Sequence, residues 1–141
     1  TRAIEFNSGI RQGCPLSGSL FSIAIEPLLA LSRKVLDGCL IHMMHKEIKI
    51  TVSAYADDVS VFICNETDFA KLEQCYSIYE EQSGAQLNLL KCRGVWAGSW
   101  KGRQDTPLNF KWSSDGIKIL GVPLTNSAEQ DSIEAFNVLC E

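Results

Sequence analysis

The chain has 141 residues, 45% of them hydrophobic and 21% charged, with a net charge of -4. That length and apolar content suffice for one domain with a real core, and no run of about 18 uninterrupted apolar residues exists to cross a membrane. The acidic balance argues against a free-standing nucleic-acid binder.

Its first residue is Thr1 rather than Met, and no basic, apolar, small-residue leader follows, so a piece of a longer intracellular polypeptide is expected. Charge is unevenly spread. Gly84 to Leu124 carry six basic and two acidic residues, leaving -8 on the remainder. This fits an acidic centre beside a basic flank, and equally a solvated surface of uneven charge.

In chain order, Asn7 to Pro15 ("NSGIRQGCP") read as a loop running into a helix, with Pro15 in its first turn. Leu16, Leu20, Ile23, Ala24, Leu28, Leu31 and Val35 then recur at helical spacing, with Phe21, Ile25 and Leu29 widening the stripe. A largely buried helix, kinked at Pro27, is expected.

The segment from Cys39 to His45 offers Cys39, His42 and His45 as nitrogen and sulfur ligands. Three ligands without a second pair make a poor zinc site, so a polar connection is the favoured reading. The six cysteines show no CxxC spacing and no compact disulfide framework, which predicts reduced, mostly buried thiols.

Period two begins at Ile48. Ile48, Ile50, Val52 and Ala54 alternate with Lys49, Thr51, Ser53 and Tyr55, and alternation resumes at Val59, Val61 and Ile63. A hairpin with Ala56 and Asp57 as its two-residue loop pairs Ala54 with Val59, Val52 with Val61 and Ile50 with Ile63, putting every aliphatic residue on one face. The other face presents Thr51, Ser53, Tyr55, Asp58, Ser60 and Phe62. Ala56 and Asp57 are poor residues for positive φ, so strain is expected at the tip.

A second helix is predicted from about Thr67 to about Ser83, capped by Thr67, favoured at its positive end by Asp68, striped by Phe69, Leu72, Tyr76 and Tyr79, and ended by Gly84. "LNLLKCRGVWAG" reads as a turn into a strand, and "LNFKWSSDGIKILGVPL" as two short strands around Ser113 to Gly116. Asn126 to Glu141 resemble the start of a further helix. The fold class expected is α+β, with helices packed on one face of a sheet.

The acids now invite chemistry. Adjacent carboxylates ionise together cheaply only when a cation neutralises them, and their hard oxygens suit Mg²⁺, which binds one or two carboxylates along with substrate phosphates. By themselves, Asp57 and Asp58 also fit a pair of solvated acids in an ordinary turn.

Four segments carry a resemblance: "GIRQGCPLSGSLFSIAIEPL" (Gly9 to Leu28), "AYADDVSVFI" (Ala54 to Ile63), "SGAQLNLLKC" (Ser83 to Cys92) and "IKILGVPL" (Ile117 to Leu124). They are similar to successive palm motifs of reverse transcriptases, and "RQGCPLS" and "AIEPL" resemble non-LTR retrotransposons of the long interspersed type. The resemblance spans most of the chain. It implies a palm-like antiparallel sheet, incomplete at both ends, forming one partial domain over residues 1 to 141 with fingers and thumb supplied elsewhere in the parent polypeptide.

That resemblance also assigns roles. Asp57 and Asp58 would ligate two Mg²⁺ ions, with Mn²⁺ as the alternative, and Tyr55 would lie beneath the primer end. Arg11, Gln12 and Gly13 would meet the incoming nucleotide, Gly13 permitting close backbone approach. Lys91 would act on the leaving pyrophosphate as a general acid. Ile119, Leu120 and Gly121 would form the primer grip, although their pattern alone is a buried strand.

The implied partners are an RNA template, a DNA primer and dNTPs, with no membrane. Gly18 departs from the family's usual proline, and the family's other metal-binding aspartate would precede residue 1. The isolated chain is therefore expected to be inactive, with an open sheet edge and an apolar patch favouring self-association.

Two other readings remain beside the polymerase. One is a catalytically dead remnant serving at most as an RNA-binding or scaffolding module. The other is a different two-metal palm such as a cyclase, which leaves "RQGCPLS" and the Lys91 segment unexplained.

Overall fold

The computed structural model describes residues 15–43, 46–113, 115–120 and 122–125. Over them the chain is mixed α+β: helix α1 (Ser17–Val35), strands β1 (Cys39–Met43), β2 (Lys46–Ile50), β3 (Val52–Tyr55) and β4 (Asp58–Val61), helix α2 (Thr67–Ser83), then β5 (Arg93–Val95), β6 (Lys111–Ser113), β7 (Gly116–Ile119) and β8 (Val122–Thr125). Short 3-10 turns at Gly98–Trp100 and Pro107–Asn109 join β5 to β6. The tail from Asn126 onward lies outside the described residues.

Helix α1 runs unbroken through Pro27 and places Arg33 and Lys34 in its last turn, where cations complement the helix dipole. Burial departs from expectation. Leu28, Leu29 and Ser32 are buried, whereas Leu16, Leu20, Phe21 and Ile23 are exposed, Ile23 at 70%. Helix α2 and strand β3 pack against α1, and the buried positions cluster in its C-terminal half. The Tyr79 hydroxyl donates to the Ala24 carbonyl at 3.0 Å, marking how far α2 reaches along its partner.

The segment read as a polar connection is instead strand β1, antiparallel to β2, with Cys39 opposite Ile50 and Ile41 opposite Ile48. β-Branched Ile41, with Ile48 and Ile50 on the facing strand, favours a ladder over a loop here. Ile50 therefore pairs with Cys39 and not with Ile63. The strand is interrupted at Thr51 before β3 begins, so the long strand expected from Ile48 onward is two.

The β3–β4 register is the expected one: Val52 faces Val61, Ala54 faces Val59, and Tyr55 faces Asp58. A further bond from the Phe62 N–H to the Thr51 carbonyl, 2.8 Å, extends the ladder at its foot. Among the described residues the strands pair as four two-stranded ladders rather than one sheet. The β5–β6 pair is parallel. The two short strands expected around Ser113 to Gly116 are present as β6 and β7, but they pair with β5 and β8 rather than with each other, so the hairpin is β7–β8, where Ile117 faces Leu124.

Helix α2 has its expected bounds and ends at Gly84, whose N–H donates to the Glu80 carbonyl. Its cap is not Thr67. Asn65 Oδ1 accepts the Asp68 N–H at 3.0 Å and the Thr67 hydroxyl at 2.6 Å, so the side chain two residues earlier serves the open helix end.

Asp68 itself does more than favour the positive end. Its carboxylate is fully buried and accepts the backbone N–H groups of Asp37 at 3.0 Å and Gly38 at 2.9 Å, together with Lys71 Nζ at 3.0 Å. Burial pushes its carboxyl up, but the two N–H groups and the ammonium outweigh that and hold it below the usual range. Lys71 also binds Asp37 at 2.7 Å. These bonds lock the α1–β1 joint to the start of α2.

Gly38 sits in this joint at φ +62, and a Cβ there would lie 2.5 Å from the Ile50 carbonyl oxygen and 2.6 Å from Thr51 Cγ2. Both the left-handed backbone and the close approach demand glycine.

A second core forms beyond α2. Phe69, Trp96, Trp100 and Trp112 pack together, with Trp96 and Trp112 stacked at 3.9 Å. The Arg103 guanidinium lies 4.5 Å from the Trp96 ring centroid and 4.9 Å from that of Trp100. Arg103 is held by a two-pronged pair to Asp105 and by a bond to Glu66. These acids, Asp105 foremost, keep its charge fixed by raising its proton affinity.

The expectation of reduced cysteines fails at one pair. Cys39 and Cys64 are joined by a disulfide, their Cα atoms 5.4 Å apart. The residues are far apart in sequence, so spacing could not reveal the pairing; the strands bring them together. Cys75 is a free buried thiol and Cys92 a free, partly buried one. The Cys39 sulfur is thereby taken, and His42 Nδ1 faces Glu47 at 3.2 Å. His45 lies outside the described residues.

Candidate functional site

The acidic hairpin is built by β-branched residues that prefer the pleated ladder, Val52, Val59 and Val61, and by a register that leaves two positions for the turn. Ala56 has φ +50, whereas Asp57 does not enter that region. Positive φ at the first loop position alone is the habit of a type II′ turn, which normally asks for glycine there. The strain expected at the tip is therefore present, and it falls on Ala56.

The turn carries Asp57 at its apex and Asp58 as the first residue of β4, both exposed. Among the described residues neither carboxylate has a hydrogen-bond or ion-pair partner. Tyr55, directly across from Asp58, is 68% exposed. Because opposed residues share a face, the ring and the Asp58 carboxylate stand side by side on the open side of the hairpin. Among the described residues, the tip presents hard oxygen donors without protein cations to neutralise them. Two carboxylates of this kind fit a divalent ion that retains several waters. Among the described residues, no cluster of three or more His, Cys, Asp or Glu side chains could enclose a metal by itself.

The other expected site residues are dispersed. Lys91 lies on the exposed turn ahead of β5, its N–H bonded to the Asn88 carbonyl at 2.9 Å, and it makes no ion pair with Asp57 or Asp58. Ile119 ends β7, and Leu120 occupies the β7–β8 turn at φ +52, 54% exposed. Arg11, Gln12, Gly13 and Gly121 lie outside the described residues. An open groove of about 570 Å³ at the foot of the hairpin is lined by Arg33, Lys49, Thr51, Ser53 and Phe62, away from the acidic tip.

Three features escaped the sequence reading: the buried Asp68, the tryptophan and arginine cluster, and the Cys39–Cys64 bridge. The Asn65–Asp68 spacing marks the start of a helix, where Asn65 Oδ1 accepts the Asp68 N–H, but nothing local marks the Asp68 carboxylate as the acceptor for Asp37 and Gly38. The bridge joins residues distant in sequence, and although Trp96, Trp100 and Arg103 are near one another in the chain, only the fold brings Phe69 and Trp112 to them.

Comparison with known proteins places the chain. A family model described as reverse transcriptase (RNA-dependent DNA polymerase) matches residues 2–124. The "Transposon TX1 uncharacterized 149 kDa protein" of Xenopus laevis is 40% identical over 132 residues, covering 92% of this chain and 10% of that protein. The "Retrovirus-related Pol polyprotein from type-1 retrotransposable element R2" of Popillia japonica is 29% identical over 123 residues, covering 86% of this chain and 20% of that protein. This chain thus spans between a tenth and a fifth of the length of these relatives. The chain belongs to the reverse transcriptase (RNA-dependent DNA polymerase) family of non-LTR retrotransposons.

Proposed function

We propose that this chain contributes the palm of an RNA-directed DNA polymerase that adds dNTPs to a primer 3′-hydroxyl along an RNA template. The observation carrying the proposal is the strained hairpin tip that exposes Asp57 and Asp58, neither carboxylate having a partner among the described residues. Two divalent ions bound there would supply the charge that activates the primer hydroxyl and neutralises the departing pyrophosphate.

The chain's own residues then divide the work. Asp57 and Asp58 hold the positive charge at the tip, and the β3–β4 ladder fixes where that charge sits. Tyr55 offers an exposed ring beside Asp58 on which the primer terminus rests. Lys91 gives its proton to the leaving group, and Arg11, Gln12 and Gly13 line the incoming nucleotide. Ile119, Leu120 and Gly121 steady the primer strand. Phosphoryl transfer asks a protein chiefly for such positioning and neutralisation. Two carboxylates alone bind metal weakly, so activity requires further acidic ligands from the parent polypeptide.

Primer extension by the full parent polypeptide tests this. Outer-shell partners of a metal cost 10–100-fold when removed, so Asp57→Ala, which removes a direct ligand, should lower extension by more than about a hundredfold. Asp57→Ala retaining wild-type extension would refute the assignment. A parent polypeptide with no extension at all would leave the catalytically dead remnant as the better description.

A further inference from the structure

The disulfide stands at a telling place. Cys39 is the first residue of β1, and Cys64 lies three residues beyond the end of β4. The loop it closes therefore contains β1, β2, β3 and β4, the acidic hairpin included.

Both ends of that loop are already bound by the polar joint described above. Asn65, next to Cys64, donates its side-chain N–H to Asp37 Oδ2 at 2.8 Å, and Asp68 holds the N–H groups of Asp37 and Gly38 on the Cys39 side. With the thiols reduced, these bonds still bring the two cysteines to the same spot. The pair is thus preorganised for oxidation. It is also reachable, since Cys64 is exposed and Cys39 partly so.

We infer that Cys39 and Cys64 form a reversible thiol–disulfide switch that clamps the foot of the acidic hairpin when oxidised and loosens it when reduced. In a reducing compartment such a pair is a sensor rather than a fixture. The oxidant is a low-molecular-weight disulfide such as glutathione disulfide. One protein thiolate attacks it, forming a mixed disulfide and releasing one small thiolate. The second protein thiolate attacks the protein sulfur of that mixed disulfide, closing Cys39–Cys64 and releasing the other. The protein loses two electrons and two protons, and the small disulfide becomes two thiols.

The other described thiols are poor competitors. Burial pushes the Cys75 and Cys92 thiols up, leaving less thiolate for attack. Closing a loop that spans 25 positions of sequence shifts the folding equilibrium by a factor on the order of several hundred in the chain-entropy account. Part of that factor should appear as slower local opening of β3 and β4.

The test needs neither nucleic acid nor metal, so its outcome is separate from that of the polymerase proposal. The full chain is equilibrated in glutathione buffers of stepped thiol-to-disulfide ratio, alkylated, and mapped by peptide mass. Cys39 and Cys64 should lose alkylation together in one two-electron transition. Amide hydrogen exchange in β3 and β4 should be about tenfold or more slower in the oxidised chain. The double variant Cys39→Ser with Cys64→Ser should keep the fold and exchange like the reduced chain in both buffers, while Cys92→Ser keeps the switch. Alkylation of both thiols at every ratio, pairing of either with another cysteine, or equal exchange in the two states would overturn the inference.

Discussion

Replacing Asp68 with alanine should unlock the joint between α1 and α2. The carboxylate is fully buried and accepts two backbone N–H groups within 3.0 Å. Hydrogen bonds to a charged partner contribute about 1.5–3 kcal/mol each, and removing one member of a buried charged network costs about 3–5 kcal/mol. Asp68→Ala should therefore lower unfolding free energy by about 3–5 kcal/mol, a large share of the roughly 5–15 kcal/mol typical of a domain. Urea titration followed by far-UV circular dichroism and by tryptophan fluorescence measures this.

The pH dependence gives a second readout of the same group. In the folded chain the carboxyl titrates below its ordinary value of 3.8. As pH falls, the unfolded chain takes up the proton first. The contribution of Asp68 is therefore full above about pH 5 and lost as pH drops through the ordinary value and then the lower folded one. Asp68→Asn, which cannot titrate, should flatten that acid limb. Asp37, lowered by its bond to Lys71 and then by Asn65, leaves a residual slope. A loss below about 1 kcal/mol for the alanine variant, or an unchanged acid limb for the asparagine one, would refute the reasoning.

Other substitutions probe single contacts. Gly38→Ala drives a methyl to 2.5 Å from the Ile50 carbonyl oxygen at φ +62 and should cost about 2 kcal/mol or more in thermal unfolding. Gly94→Ala places a methyl 2.6 Å from the Trp112 ring, so about 1–3 kcal/mol of overpacking is expected, with loss of the aromatic near-UV signal. Ala56→Gly relieves the positive φ at the hairpin tip and should stabilise the chain by about 1 kcal/mol, read by the urea midpoint. Burial pushes the Tyr76 hydroxyl up to about 12. Its contribution to stability should hold below about pH 10 and fade as pH rises towards the folded value. Ultraviolet titration should show a late step absent from Tyr76→Phe.

The exposed apolar residues of α1 bear on the sequence reading. A stripe of Leu16, Leu20, Ile23 and Leu28 predicts a helix because its period is local, but periodicity carries no statement of what covers the stripe. The structure buries Leu28 and Leu29 fully and Ile25, Leu31 and Val35 in part, and leaves the N-terminal stripe open. Likewise the stretch from Cys39 to His45 passed for a connection on the strength of its histidines until β2 supplied the facing strand. The β5–β6 pair joins segments separated by two 3-10 turns in parallel, a pairing that alternation within either strand cannot specify.

Local chemistry was sufficient wherever the relevant partner lay within a few positions. The hairpin register follows from period two about a two-residue loop, the bounds of α2 follow from polar residues before it and Gly84 after it, and the acidic tip was visible as Asp57 and Asp58 in an aliphatic run. Tertiary structure alone decided that Asp68 is buried under the α1–β1 joint, that Cys39 meets Cys64, and that three tryptophans close around Phe69 and Arg103. The bonds of Asp68 to the joint, the Cys39–Cys64 bridge and the packing of Phe69 on the tryptophans each cross a long stretch of sequence, and the free energy that selects them comes from burial and hydrogen bonding across the fold, terms that no neighbouring residue encodes.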